Sequence, residues 1–306
     1  MKKTLLWILA FIITIAAAYY QRKTGPTYPK QVDVTVNGSE YTLKLVRSIG
    51  LDERSAVKLG IRDTTVRASL YYRRFRTNEE FRVSEFSYRI YPLDSFVMNK
   101  IIGMSHERGF FADIPPQPPA GKLEYYIEIT DSRGTIDLFR ENPVVVRFKG
   151  SVPGYILTPH VLLMFAAMLF STFTGLLYVA RVPGVRLYAK WTLGLLTAGG
   201  MILGPIVQKF AFGEFWAGIP FGWDLTDNKT LIAFVFWIIA VIANRRRERP
   251  VFSFLAAIVL LAIYSIPHSM MGSELDYETG KVIQGFALIF LLKFSQNSYL
   301  KCSTEK

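Results

Sequence analysis

The chain has 306 residues, 51% of them hydrophobic, a formal net charge of +12 and one cysteine. A single cysteine leaves no disulfide framework, no paired-cysteine zinc site and no thiol-exchange chemistry. The apolar excess, a mean hydropathy of +0.24, points to membrane segments. The basic excess then follows from the Lys and Arg that hold membrane-protein loops inside, and nucleic acid drops out as a partner.

Residues 4–20 form an unbroken apolar run behind Lys2 and Lys3. At about 1.5 Å per residue the run is long enough to cross a bilayer core. Residues 1–23 therefore read as an N-terminal anchor. The alternative is a cleaved signal, because Ala16-Ala17-Ala18 also suits a signal peptidase.

Over residues 31–151 the texture changes to alternation. Val32, Val34 and Val36 precede Asn37-Gly38, and Tyr41, Leu43 and Leu45 follow it, the pattern of a hairpin with a two-residue turn. Ala68, Leu70 and Tyr72 alternate, as do Leu123, Tyr125, Ile127 and Ile129 before the turn at Asp131-Ser132-Arg133-Gly134. Strands at this spacing predict an all-β sandwich. Residues 112–121, Pro-rich and running into Tyr125-Tyr126-Ile127, resemble the late strands of fibronectin type III and immunoglobulin-like domains. That resemblance implies a fold and no chemistry. Arg73, Arg74 and Arg76 read as a solvated strand end, with lipid headgroups as the other reading.

After Gly154 the apolar segments return, at 155–180, 187–207, 230–243, 251–267 and 282–292. With the first run they make about six spans, an α-helical membrane bundle into which the β domain is inserted, with five spans over 155–294 and a cytoplasmic tail over 295–306. Arg181, Arg186 and Lys190 follow the second span, and Arg245, Arg246, Arg247 and Arg249 follow the fourth. The positive-inside rule makes these loops cytoplasmic, puts both termini inside and leaves the β domain extracytoplasmic. The opposite loops, 208–229 and 268–281, carry Glu214, Asp224, Asp227, Glu274, Asp276 and Glu278. These acids are solvated, or Asp224 and Asp227 with Glu274, Asp276 and Glu278 bind a divalent cation through oxygen. Asp224 and Asp227 have a third reading, as caps on the following helix.

The loop at 210–230 packs four Phe, two Trp and three Gly between two spans. It reads as an aromatic belt at headgroup level, or as a shaped binding platform. Trp216, Trp223, Asp224, Thr230 and Trp237, followed by Arg245 to Arg247, resemble the tryptophan-rich WWD segment of the heme-handling proteins of cytochrome c maturation, of the CcmC and CcsA types. Here residues 217–222 separate the two tryptophans of the loop. The resemblance implies heme on a platform of Trp216, Phe221, Trp223 and Asp224, with axial imidazoles from His160 and His268. Those two of the chain's three histidines, the third being His106, flank the loop at the outer ends of the second and fifth spans. Lys209, Lys229 or Lys281 would then supply cations for the propionates. No phosphate loop, nucleophile elbow or metalloprotease motif occurs, so an enzyme is not indicated.

Three functions follow. The first is a membrane protein that binds or handles heme at its outer face. The second is a non-catalytic scaffold or sensor whose sandwich recruits a protein partner, and the third is a small-solute transporter.

Overall fold

A computed structural model describes residues 2–92, 106–268, 270 and 273–283. The expected span at 282–292 falls outside the described residues, apart from Val282 and Ile283, and so does the tail at 295–306. The chain divides into two compact units, a helical one comprising Met1–Pro26 and Ser151–Glu274 and a β one comprising Thr27–Gly150 and Leu275–Lys281.

The helical unit holds α1 (Lys2–Thr24), α2 (Gly154–Val179), α3 (Val185–Leu196), a π-helical turn (Thr197–Leu203), α4 (Gly204–Phe212), α5 (Leu225–Ala243) and α6 (Pro250–Ser265). Four helices are long and apolar enough to cross a membrane: α1, α2, the continuous rod from α3 to α4, and α5. The fifth, α6, is apolar and 16 residues long. The interior of the unit is built from small groups: Ala167, Ala189, Ala233, Ala240, Ala256 and Ala257 are buried around Trp237 and Met168. A Cβ at Gly175 of α2 would stand 3.0 Å from Ala257 Cβ, and one at Gly199 would stand 2.9 Å from Leu163 Cβ. The helices therefore approach through glycine and alanine, the mode that works where lipid removes any hydrophobic drive between helices. Many large side chains point the other way, with Leu5, Phe11, Leu162, Val235, Ile239, Ile242 and Leu255 all exposed, while Phe173, Leu177, Leu196 and Leu260 are buried.

The basic connections gather at one end of this unit. Arg186 donates to the carbonyl of Arg245 at 2.6 Å, which joins the α2–α3 and α5–α6 loops. Lys3 Nζ lies near Gly184 in the first of those loops. Asn244 closes α5 by donating to the carbonyl of Ala240 and accepting from Arg249 N–H.

In the β unit the expected hairpin is present. β1 (Lys30–Val36) pairs with β2 (Ser39–Leu45) in a register that places Val36 opposite Ser39. Asn37 and Gly38 have φ of 48° and 81°, the left-handed pair that a two-residue turn of this kind requires. Asn37 is also a hub. Its N–H donates to Asp131, its side-chain amide to Asp63, and its carbonyl oxygen accepts from Ser132.

The main sheet runs β3 (Ser48–Gly50), β11 (Val144–Lys149), β9 (Lys122–Asp131), β5 (Arg67–Arg74) and β6 (Arg82–Glu85), with β10 (Gly134–Leu138) also on β9. A second sheet orders β4 (Ala56–Leu59), β8 (His106–Asp113) and β7 (Ser87–Pro92). One core joins the hairpin and both sheets, with Leu43, Leu59, Leu70, Ile127, Val146 and Phe148 fully buried. Strand β9 departs from simple alternation, because Glu124 and Tyr126 on its second face are buried too. Tyr71 stacks on Tyr126 at 4.6 Å, Phe81 meets it edge-on, and Arg140 lies over the ring. Tyr125 donates its hydroxyl to the carbonyl of Val46 at 2.8 Å, and burial pushes its phenol far above the ordinary range.

Arg73 and Arg74 are paired with Glu124 and Glu79, so this strand end is partly neutralised. Residues 275–281, expected as part of a loop between spans, fold with the β unit. Leu275 N–H donates to the carbonyl of Ala120, and the Tyr277 hydroxyl bonds both N–H and C=O of Lys122. Asp276 closes the turn by accepting from Glu278 N–H and Thr279. The short strands β12 (Glu274–Leu275) and β13 (Val282–Ile283) flank it.

Candidate functional site

The end of the helical unit opposite the arginine loops is organised by the first turn of α5. The structure starts this helix at Leu225, five residues before the expected Thr230, because Asp224 is its N-cap. The Asp224 carboxylate accepts from the N–H groups of Thr226 at 2.8 Å and Asp227 at 3.2 Å, satisfying amides that have no partner inside the helix. The capping role, rather than a cation site, is thus the one the geometry displays.

Asp227 then fastens the aromatic loop. Its Oδ2 accepts from the N–H of Ala217 at 2.6 Å and from Gln208 Nε2 of α4 at 2.9 Å. Asn228 accepts from Ile219 N–H, and Trp216 Nε1 donates to the carbonyl of Ile219. Gly218 sits where a Cβ would stand 2.7 Å from Asp227 Cβ and 2.8 Å from Asn228 Oδ1, so only glycine lets the loop close this tightly. The loop, residues 213–224, is strapped down by buried carboxylate and amide acceptors.

The π-helical turn organises the facing wall. An i→i+5 pattern leads Gly204 N–H to the Gly199 carbonyl, and the same oxygen is bonded by His160 Nδ1 of α2 at 2.9 Å. A carbonyl only accepts, so Nδ1 carries the proton and the neutral ring keeps its lone pair on Nε2. Wide turns of this kind recur at functional sites. The expectation of one continuous span at 187–207 missed it.

Between these walls lies a cavity of about 290 Å³, whose lining includes His160, His268, Trp216 and Asp224. Two histidines 108 positions apart thus share one cavity with two residues of the expected platform. His268 comes from the segment where α6 ends at Ser265 and the backbone turns extended at Ile266. Lys229 holds that turn, donating to the Ile266 carbonyl at 2.7 Å, with Gln21 of α1 at 3.4 Å from the same oxygen.

Four expected site residues lie elsewhere. Phe221 is 80% and Trp223 58% exposed, and neither lines the cavity, because the ties from Asp227 and Asn228 turn this part of the loop outward. Lys209 donates to the Gly213 carbonyl and lies over Phe215, closing α4 instead of reaching the cavity. Lys229 lines only a small adjoining space of about 20 Å³, together with His268 and Tyr264.

The cavity also holds Asp227 and Thr230, noted in the sequence for other roles, and three residues that were not expected: Gln21, Gln208 and Tyr264. Their signal was a polar group at the end of an apolar run, which taken alone reads as an ordinary helix end. Among the described residues no group of three or more His, Cys, Asp or Glu is placed to hold a metal ion.

No family model, no curated protein and no solved structure matches the chain.

Proposed function

We propose that this chain is an integral membrane protein that binds a small molecule in the cavity between α2, the π-helical turn and the strapped loop. In this reading the arginine end faces the cytoplasm and the β unit is extracytoplasmic, in line with Lys3, Arg186 and Arg245 meeting at one end of the helices. The observation that carries the binding function is the convergence of His160 and His268, with Gln21, Gln208 and Asp227, on one cavity inside an otherwise apolar helical unit. Ionisable groups at membrane depth are costly, and they collect where a ligand or ion is handled.

Heme, the ligand implied by the WWD resemblance, fits this site only at its iron. The two imidazoles and the walls of Phe165, Phe212 and Trp216 suit it. The volume is at the lower edge of the roughly 300–1,000 Å³ typical of small-molecule pockets, too small to enclose a porphyrin. The lining also contains two aspartates and no Lys or Arg, so propionates would meet carboxylates instead of cations. A ligand smaller than heme suits the cavity better.

The test is accessibility. In a Cys302→Ser background, Thr230→Cys should react with a small membrane-impermeant thiol reagent, since Thr230 lines the cavity. Ala240→Cys, fully buried in the helix interior, should not. Equal protection of both would leave no open cavity and return the chain to the scaffold reading. The absorption spectrum of the purified chain supplies a separate check, a Soret band being the sign of heme after all.

A further inference from the structure

We infer that the ligand of this cavity is a small monovalent organic cation, a protonated primary amine attached to an aromatic or aliphatic body. The inference rests on the binding reading above and adds the chemical class of the ligand.

Charge is the first argument. Asp224 and Asp227 are each more than nine-tenths buried and line the cavity. The buried cation nearest to them in sequence, Lys229, is held by the Ile266 carbonyl beside the adjoining space. With neutral imidazoles these three groups sum to one negative charge, which a single positive charge on the ligand would balance. A buried uncompensated charge is expensive, so a cation gains where an anion is repelled.

Hydrogen-bonding capacity is the second. In the neutral ring His160 Nε2 is an acceptor, because the Gly199 carbonyl fixes that ring's proton on Nδ1. Asp227 already accepts from Ala217, Gln208 and the Gly218 N–H, and since a carboxylate offers about four lone-pair sites it keeps room for one more donor. Tyr264 is only 9% exposed, lines the cavity, and its hydroxyl makes no hydrogen bond among the described residues. The hydroxyl has free acceptor capacity, and an ammonium N–H group can use it. His268 likewise makes no hydrogen bond among the described residues.

The walls are the third. Trp216, Tyr264, Phe165 and Phe212 surround the polar groups, and an aromatic face attracts a desolvated ammonium through its quadrupole. Acceptors, negative charge and aromatic rings in one cavity form the recognition set of an amine.

The experiment uses the full chain in lipid nanodiscs, with benzylammonium, benzyl alcohol and benzoate as probes, and reads thermal stabilisation, which grows with ligand concentration over Kd. Benzylammonium should bind about tenfold more tightly than benzyl alcohol, with benzoate weaker still. Tyr264→Phe, which removes one hydroxyl without emptying the core, should weaken benzylammonium and leave benzyl alcohol unchanged. Asp227→Asn should abolish the preference, and unaltered folding of that variant is checked by the near-ultraviolet circular dichroism of the aromatic loop. If benzyl alcohol or benzoate binds as well as benzylammonium, the cation assignment is overturned while the cavity keeps its role. If none of the three stabilises a chain whose Thr230→Cys variant is labelled, the cavity is open but the amine assignment fails. If that label is absent too, the binding reading falls with it.

Discussion

The two units of this chain place their apolar side chains in opposite places. In the β unit the large residues Phe148, Ile127, Leu70 and Tyr125 are fully buried, and most polar groups face outward, with Gln117, Glu124 and Arg147 as buried exceptions. In the helical unit alanine and glycine fill much of the inside, around Trp237, Phe173 and Leu260, while Ile239, Ile242, Leu162 and Phe11 face out. Water drives the first arrangement by the hydrophobic effect. The second is stable only where the outer solvent is itself apolar, so that close backbone packing holds the helices together. The units also treat polar groups differently. The β unit spends its side-chain hydrogen bonds on turns and strand edges, as at Asn37 and Asp276, whereas the helical unit gathers Gln21, His160, Gln208, Asp227 and His268 around one cavity.

The largest expected effect is in the β core. Phe148→Ala should cost about 3–5 kcal/mol in denaturant unfolding, since a fully buried ring leaves a cavity. Ile239→Ala, a comparable truncation on the exposed face of α5, should stay within about 0.5 kcal/mol. Similar losses at both positions would break the contrast, because they would mean that Ile239 packs against protein.

Next comes Gly175→Leu. Even a Cβ alone at this position would stand only 3.0 Å from Ala257 Cβ, so overpacking should cost the helical unit about 1–3 kcal/mol. The circular dichroism melt of the strands should stay where it was. A matching fall in the β transition would show that the two units unfold as one.

Asn37→Ala should cost the β unit about 1–2 kcal/mol. It removes the bonds to Asp63 and Ser132 and puts a poorer residue at φ 48°. Asn37→Gly should restore the turn geometry but not the side-chain bonds, and therefore recover only part of the loss in the same thermal scan.

The smallest effect is one of pH. Hydrogen bonds from Asn37 hold the Asp63 carboxyl below its usual value, and the Asn37 N–H does the same for Asp131. A depressed folded pKa contributes stability that is present above the unfolded value, about 3.9. That contribution is lost as pH falls through the folded value. The melting temperature of the β unit should thus decline on acidification below about pH 4, and Asn37→Ala should flatten the decline. An unchanged slope in that variant would remove Asn37 as its cause.

Much of this was legible residue by residue. Asn37-Gly38 announces its turn because few residues tolerate two positive φ values in succession. The arginine loops mark one end of the helices because charge cannot enter lipid. His160 and His268 stood out as the rare imidazoles flanking an aromatic loop, and both line the cavity. Phe221 and Trp223 of the loop, and Lys209 just before it, lie away from the cavity. Composition was compatible with a belt or a platform there, and which rings face inward depends on the carboxylate of Asp227 reaching back ten positions to Ala217. The start of α5 was placed late because Leu225, Thr226, Asp227, Asn228 and Lys229 look like loop by composition, while one capping carboxylate at Asp224 suffices to make them helix.

By itself the sequence determined where the chain is apolar, where it alternates and where its charges lie, because period, turn chemistry and solvation are local properties. Only the tertiary structure decided that the Gly199 carbonyl fixes the tautomer of His160, that Lys229 holds the turn before His268, and that residues 275–281 belong with the β unit. Each of these pairs groups tens of positions apart or more, and no local pattern encodes a hydrogen bond whose two ends meet only after the helices and sheets have packed.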